Sequence, residues 1–113
     1  MNAYEIPNLR FSLTAGDDIK RHRFVAVDAY GNGIQAAAIS NIIGVSMNEV
    51  SIGQVLEIAD GIVMVEAATA VTAGNCAYSD ENGRLVDFGD MYDEVGIIIT
   101  SAAAGGLAAV KLK

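Results

Sequence analysis

The sequence has no tryptophan and only one each of histidine, cysteine and proline, and each scarcity removes a class of protein. A single cysteine excludes an intramolecular disulfide and any multi-cysteine metal site. Cys76 reads as a buried, inert thiol. The single histidine, His22, lies between Arg21 and Arg23, and no neighbouring carboxylate orients it. Nucleophilic or acid–base catalysis needs several such groups converging in one pocket, so His22 reads as an exposed bystander. The chain reads as a non-enzyme without cofactor, metal or small-molecule substrate.

Basic residues are also scarce: seven Lys and Arg against fourteen Asp and Glu, a formal net charge of −7 and a pI near 4.4. Phosphate contacts need clustered Lys and Arg, so nucleic acid is not an expected partner. The one basic cluster, Lys20, Arg21, His22 and Arg23, reads as a solvated loop. Long hydrophobic runs are missing too. The uncharged stretch 95–110 is shorter than the ~20 residues a membrane span needs and carries Gly96, Thr100, Ser101, Gly105 and Gly106, so strand, turn, strand is expected there and no membrane. The N-terminus carries Glu5 where the basic region of a signal peptide would stand, so synthesis in a cytoplasm is expected.

What is abundant is small apolar residues: 52% of the 113 residues are apolar but only 6% aromatic. Small side chains bury little area each, at roughly 25 cal/mol per Å², so such a chain gains from covering surface with copies of itself. The length suits one domain.

Sliding the sequence against itself shows a duplication. At an offset of 52 residues Asp28 meets Asp80, Gly31 meets Gly83, Gly44 meets Gly96, Gly53 meets Gly105 and Ile58 meets Val110. Ahead of this block, Leu13-Thr14-Ala15-Gly16-Asp17 resembles Val71-Thr72-Ala73-Gly74-Asn75 at an offset of 58, which implies six extra residues between Gly16 and Asp28 in the first copy. The copies then span residues 13–58 and 71–112 of a single β domain, 13–113, preceded by an N-terminal arm, 1–12.

Within each copy the signals are of strands. Phe24-Val25-Ala26-Val27, a turn at residues 28–33 and Ile34 read as a hairpin, repeated by Cys76-Ala77-Tyr78-Ser79, the turn 80–83 and Arg84-Leu85-Val86. Residues 42–46 and 95–100 read as short buried strands whose interior glycines mark a bulge or a close backbone approach. Residues 54–58 and 107–112 alternate as strands, and Asp60-Gly61 with residues 62–66 suggests a further hairpin between the copies. The expected fold is all-β, an antiparallel β-sandwich or small β-barrel built from two pseudo-repeated units, with an extended N-terminal arm. The arm holds the only proline, Pro7, and either docks on a partner or forms a first edge strand.

Asp87, Asp90, Asp93 and Glu94 cluster, but their spacing does not match a calcium loop and they read as a solvated acidic loop, as do Asp17 and Asp18. Gly31-Asn32-Gly33 and Gly105-Gly106 lead into no helix with a phosphate-binding lysine, and read as turns.

Taken in order, Leu-Thr-Ala-Gly-Asp, a strand, Asp-x-x-Gly, Ile-Gly-Val, a glycine turn, alternating Val and Leu, then Val-Thr-Ala-Gly-Asn and a second pass resemble the small tailed-phage capsid decoration, or cement, proteins. The resemblance covers residues 13–112. It implies a β-rich homotrimer on the outer surface of the mature capsid, at three-fold or quasi-three-fold positions, that clamps major capsid protein subunits against internal DNA pressure. Under that reading Tyr4, Ile6, Pro7, Leu9, Arg10 and Phe11 are the expected capsid contacts. The alternatives are another self-assembling virion or fibre-base protein, or a small ligand- or metal-binding β domain centred on residues 87–94.

Overall fold

The computed structural model describes residues 6–37, 41–88 and 94–113, and the side chains from residue 9 onward. Among these there is no helix, and none long and apolar enough to cross a membrane. The strands are β1 (Ile6–Thr14), β2 (Phe24–Val27), β3 (Gly33–Gln35), β4 (Gly44–Ser46), β5 (Val55–Glu66), β6 (Cys76–Ser79), β7 (Leu85–Val86), β8 (Gly96–Ile98) and β9 (Leu107–Leu112). All strand pairs are antiparallel, in the order β3-β2-β4-β5-β9-β8-β6-β7, with β1 added alongside β5. The all-β class expected from the strand signals is what the chain adopts, and the expected small β-barrel or sandwich takes the form of one antiparallel, curled, half-barrel sheet.

Strand registers put the two halves in one correspondence. Phe24 opposes Val45 as Cys76 opposes Ile97. Ser46 opposes Ile58 as Ile98 opposes Val110, and Leu13 opposes Leu56 as Val65 opposes Ala108. The bridge Ile19–Val50 recurs as Val71–Ala102. One offset of 52 therefore runs from β1 to β9, and the six-residue insertion expected between Gly16 and Asp28 is absent. The likeness of residues 13–17 to 71–75 is one of letters only: Val71 stands where Ile19 does, and Leu13 matches Val65.

The hairpin expected around Asp60-Gly61 is also absent, because β5 runs unbroken for 12 residues. Its first part pairs with β1 and β4 and its second with β9, so one strand closes the first half and opens the second. Gly61 takes φ 118, and the Asp60 carboxylate accepts its N–H at 2.8 Å, which lets the strand bend at the junction instead of turning back. Opposite it, β1 has an irregularity between Pro7 and Leu9.

Two cores result. The smaller holds Ala15, Ile19, Val25, Val50, Leu56 and Ile58, with Phe11, Leu13 and Ile43 against it, all from the first half. The larger holds the second-half counterparts Val63, Val65, Ala67, Val71, Ala77, Ala108 and Val110, together with Phe24, Val45 and Ala59 from the opposite face of the first half. Leu85 and Ile98 are larger than their partners Gly33 and Ser46, but most inward positions shrink: Phe11 to Val63, Ile19 to Val71, Val25 to Ala77, Leu56 to Ala108. Interiors pack to crystal density, so the room left by small residues must be filled. Phe24 and Val45, fully buried, fill it, with Ile34, Ile42 and Met47 at the margin. The Ala- and Val-rich composition is therefore the means by which one half accepts the other.

Candidate interaction surface

The seam between halves carries a charge cluster that includes part of the basic tetrad. Lys20 and Arg21 are exposed, but Arg23 is not part of a solvated loop: its side chain is 11% exposed. Its guanidinium meets the Glu66 carboxylate at 3.2 Å and donates to the Asn82 carbonyl at 3.2 Å. Arg84 reaches the same Glu66 oxygen at 3.8 Å and Asp80 at 3.6 Å. Alongside, Phe24 N–H donates to Gly83 O at 2.8 Å and Glu66 N–H to His22 O at 3.0 Å. His22 is half-buried, not a bystander, with its Nδ1 3.1 Å from Met64 O and φ 66. Its counterpart in the second half is Gly74, at φ 90. These contacts seat the turn before β7 on the edge of β2.

The acidic residues serve the backbone. Asp87 accepts from Thr72 N–H at 3.1 Å and Asn75 Nδ2 at 3.0 Å, Asp17 from Gln35 N–H at 3.3 Å and Asp18 from Ile52 N–H at 3.0 Å. Asp90 and Asp93 lie outside the described residues. Among the described residues no three metal-ligating side chains converge. A recess of about 180 Å³, lined by Ile42, Ile43, Asp60, Glu94, Val95 and Lys113, lies where equivalent segments of the halves meet, and gathers no nucleophile with a base.

Cys76 is half-exposed, which corrects the expectation of burial. Its thiol donates to the Glu94 carboxylate, and that bond, then partial burial and the negative charge, push its pKa above the ordinary thiol value. Glu94 moves the other way, held below the usual carboxylate range by the same bond and by Lys113 at 3.3 Å. A depressed carboxyl pKa means that this bond and ion pair are present at neutral pH and are lost as pH falls through the Glu94 titration. Alkylation requires the thiolate, so the pH midpoint of iodoacetamide labelling should lie above that of a free thiol. In Glu94→Gln that midpoint should move down; an unchanged labelling profile would exclude the bond.

Of the expected capsid contacts, Tyr4 lies outside the described residues. Ile6 and Pro7 are in β1, opposite Ile62 and Gly61. Leu9 is 56% exposed, and Arg10 reaches Glu57 at 3.9 Å between two exposed side chains, a pair worth under about 1 kcal/mol and free to exchange for another partner. Phe11 turns inward against the smaller core. Residues 6–12 are thus an edge strand of the domain's own sheet, the second of the two readings of that segment.

Sequence reading passed over the most exposed aromatic among the described residues. Tyr30 is 90% exposed at the tip of the β2–β3 turn, with Val27 43% exposed beside it. The turn is held by the Asp28 carboxylate, which accepts from Tyr30 N–H at 2.8 Å and Asn32 N–H at 2.9 Å, and by Gly31 at φ 81. An aromatic in a turn otherwise built of Asp, Asn and Gly was the available signal.

A duplicated curled sheet, two apolar cores and an edge strand along β5 define a small all-β domain. The chain belongs to the phage cement protein family, whose model matches residues 5–113. It is thus a structural protein of the phage virion, associated with the capsid. Among solved structures it is similar in fold to the head fiber gp8.5 N base of bacteriophage phi29, with 18% identity, 93% of each chain covered and a TM-score of 0.74. No curated protein matches the chain.

Proposed function

We propose that the protein binds the outer surface of the mature capsid as a homotrimer, at three-fold or quasi-three-fold positions, and clamps neighbouring major capsid protein subunits against the pressure of packaged DNA. The observation that carries this reading is the cement family match over residues 5–113. Physics agrees with it. Repeated weak contacts of a symmetric oligomer multiply through avidity. A net charge of −7 favours solubility at high concentration and disfavours non-specific binding to the genome, so protein, and neither nucleic acid nor membrane, is the proposed partner. On this reading the protein acts mechanically, as a non-enzyme without cofactor or small-molecule substrate.

The proposed contact is the N-terminal segment, with Tyr4, Ile6, Pro7, Leu9 and Arg10 as the shell contacts and Phe11 fastening the strand to its own core. Deleting residues 1–12 would remove an edge strand, so Leu9→Ser with Arg10→Glu is the better probe. Light scattering should give a trimer, and co-sedimentation with expanded shells lacking the protein should saturate for wild type and weaken at least tenfold for the double variant. A stable monomer that ignores shells would sink the proposal. The likeness to a head fiber base favours a second reading, a base that seats an appendage on the head, which predicts shell binding only at the few positions that carry appendages.

A further inference from the structure

The two halves carry the same turn twice, and only one of the two is seated within the chain. In the second half, Asp80 caps the turn by accepting from Asn82 N–H and Arg84 N–H at 2.8 Å each, and Gly83 takes φ 73. In the first half, Asp28 does the same for Tyr30 and Asn32, and Gly31 takes φ 81. The second-half turn is docked: Gly83 O accepts from Phe24 N–H at 2.8 Å, and Asn82 O from Arg23 at 3.2 Å. In the first-half turn the corresponding residues, Tyr30 and Gly31, are exposed, with an aromatic ring where the docked turn has Asn82.

We propose that the β2–β3 turn, with Tyr30 at its tip, is a plug for a strand edge of the capsid shell protein, recognising a backbone N–H beside an arginine. This rests on the capsid-binding reading and adds a second contact to it. The chemistry of the seat is read from the docked turn, where Arg23 supplies the guanidinium and Phe24 the backbone N–H. Another copy of this chain does not offer that seat. Its own Arg23–Phe24 site is filled by its own second turn, and the corresponding site of its second half has Asn75 for Arg23 and half-exposed Cys76 for Phe24. Around Cys76, Lys111 replaces Ala59 and the ion pair Glu94–Lys113 replaces Ile42 and Gly61, a charged face that does not receive an apolar plug. A shell partner therefore fits the turn better than a second copy. Exposed tyrosines in such positions are frequent anchors of protein interfaces.

The contact lies away from the N-terminal one. Ala15, after the end of β1, bridges to Gly33 beside the turn, whereas Leu9 lies six residues earlier, roughly 20 Å along an extended strand. Two separated contacts give each copy a grip in which the second forms at high effective concentration.

The test is Tyr30→Ser in the full chain, measured by melting temperature, light scattering and co-sedimentation with expanded shells lacking the protein. The result expected is unchanged melting and mass with shell affinity reduced at least tenfold. Shell binding within twofold of wild type would overturn the inference and leave the capsid reading standing. A fall in solution mass would overturn it in favour of a second copy as occupant. Failure of the wild type itself to bind shells would overturn the capsid reading, and this inference with it.

Discussion

Leu56→Ala should cost about 3–4 kcal/mol, and adding Gly33→Leu to it should return roughly 1–2 kcal/mol. Leu56 is fully buried in the smaller core, and truncation leaves a cavity in a region already sealed by β1 and β4. A Cβ on Gly33 would lie 2.6 Å from Leu56 Cδ2, with Leu13 and Val25 no closer than 3.7 Å, so Leu56 alone stands in the way. The second half has made this exchange: Leu85 stands at the Gly33 position and Ala108 at the Leu56 position, both fully buried. Gly33→Leu by itself should therefore destabilise, and the double variant should be more stable than Leu56→Ala. Urea denaturation of the three variants checks the sign, and a double variant less stable than either single one would refute the exchange.

Gly96→Ala should destabilise by about 3 kcal/mol, a large part of the 5–15 kcal/mol that holds a domain together. A Cβ there would overlap the Lys111 carbonyl and crowd the backbone of Leu112, and backbone cannot swing aside as a side chain can. Gly44 is its counterpart, where a Cβ would meet Ala59 O and Ile58 Cγ2 at 2.6 Å each. Gly44→Ala should cost less, because one of its two obstacles is a side-chain methyl. At Gly53, by contrast, a Cβ meets nothing within 4 Å, and only φ 89 resists substitution, so Gly53→Ala should lose about 1 kcal/mol. Thermal melts of the three should rank in that order.

How much of this was legible in the letters depended on whether a feature was local. The hairpins at residues 24–35 and 76–86 were readable because Asp, Asn and Gly in a turn act on their own backbone within four residues. The close approach at Gly44 and Gly96 was readable in kind, since an interior glycine in a β-branched stretch has few other uses. Residues 71–75 misled because Thr-Ala-Gly is a turn-like string found twice by chance; the bridges Ile19–Val50 and Val71–Ala102 decide the alignment, and those partners are distant in sequence. Arg23 was misjudged for the same reason, as its neighbours in sequence are cations while its partner, Glu66, comes from β5. Of the candidate contacts, alternation along β1 separates inward Phe11 from outward Arg10, but only once β5 is known to lie beside them.

By itself the sequence determined the all-β class, the two hairpin turns, the duplication with its offset of 52 from Asp28 onward, and the scarcity of catalytic groups, because composition and short-range backbone preferences act without reference to the rest of the chain. Only the tertiary structure decided that Val55–Glu66 is one shared strand, that the second half takes Phe24 and Val45 into a core of small residues, and that one of two equivalent turns is docked while the other, with Tyr30, faces outward. Those outcomes depend on which surfaces meet. Packing and charge pairing between distant segments set them, and two halves of similar sequence become different when one must cover the other.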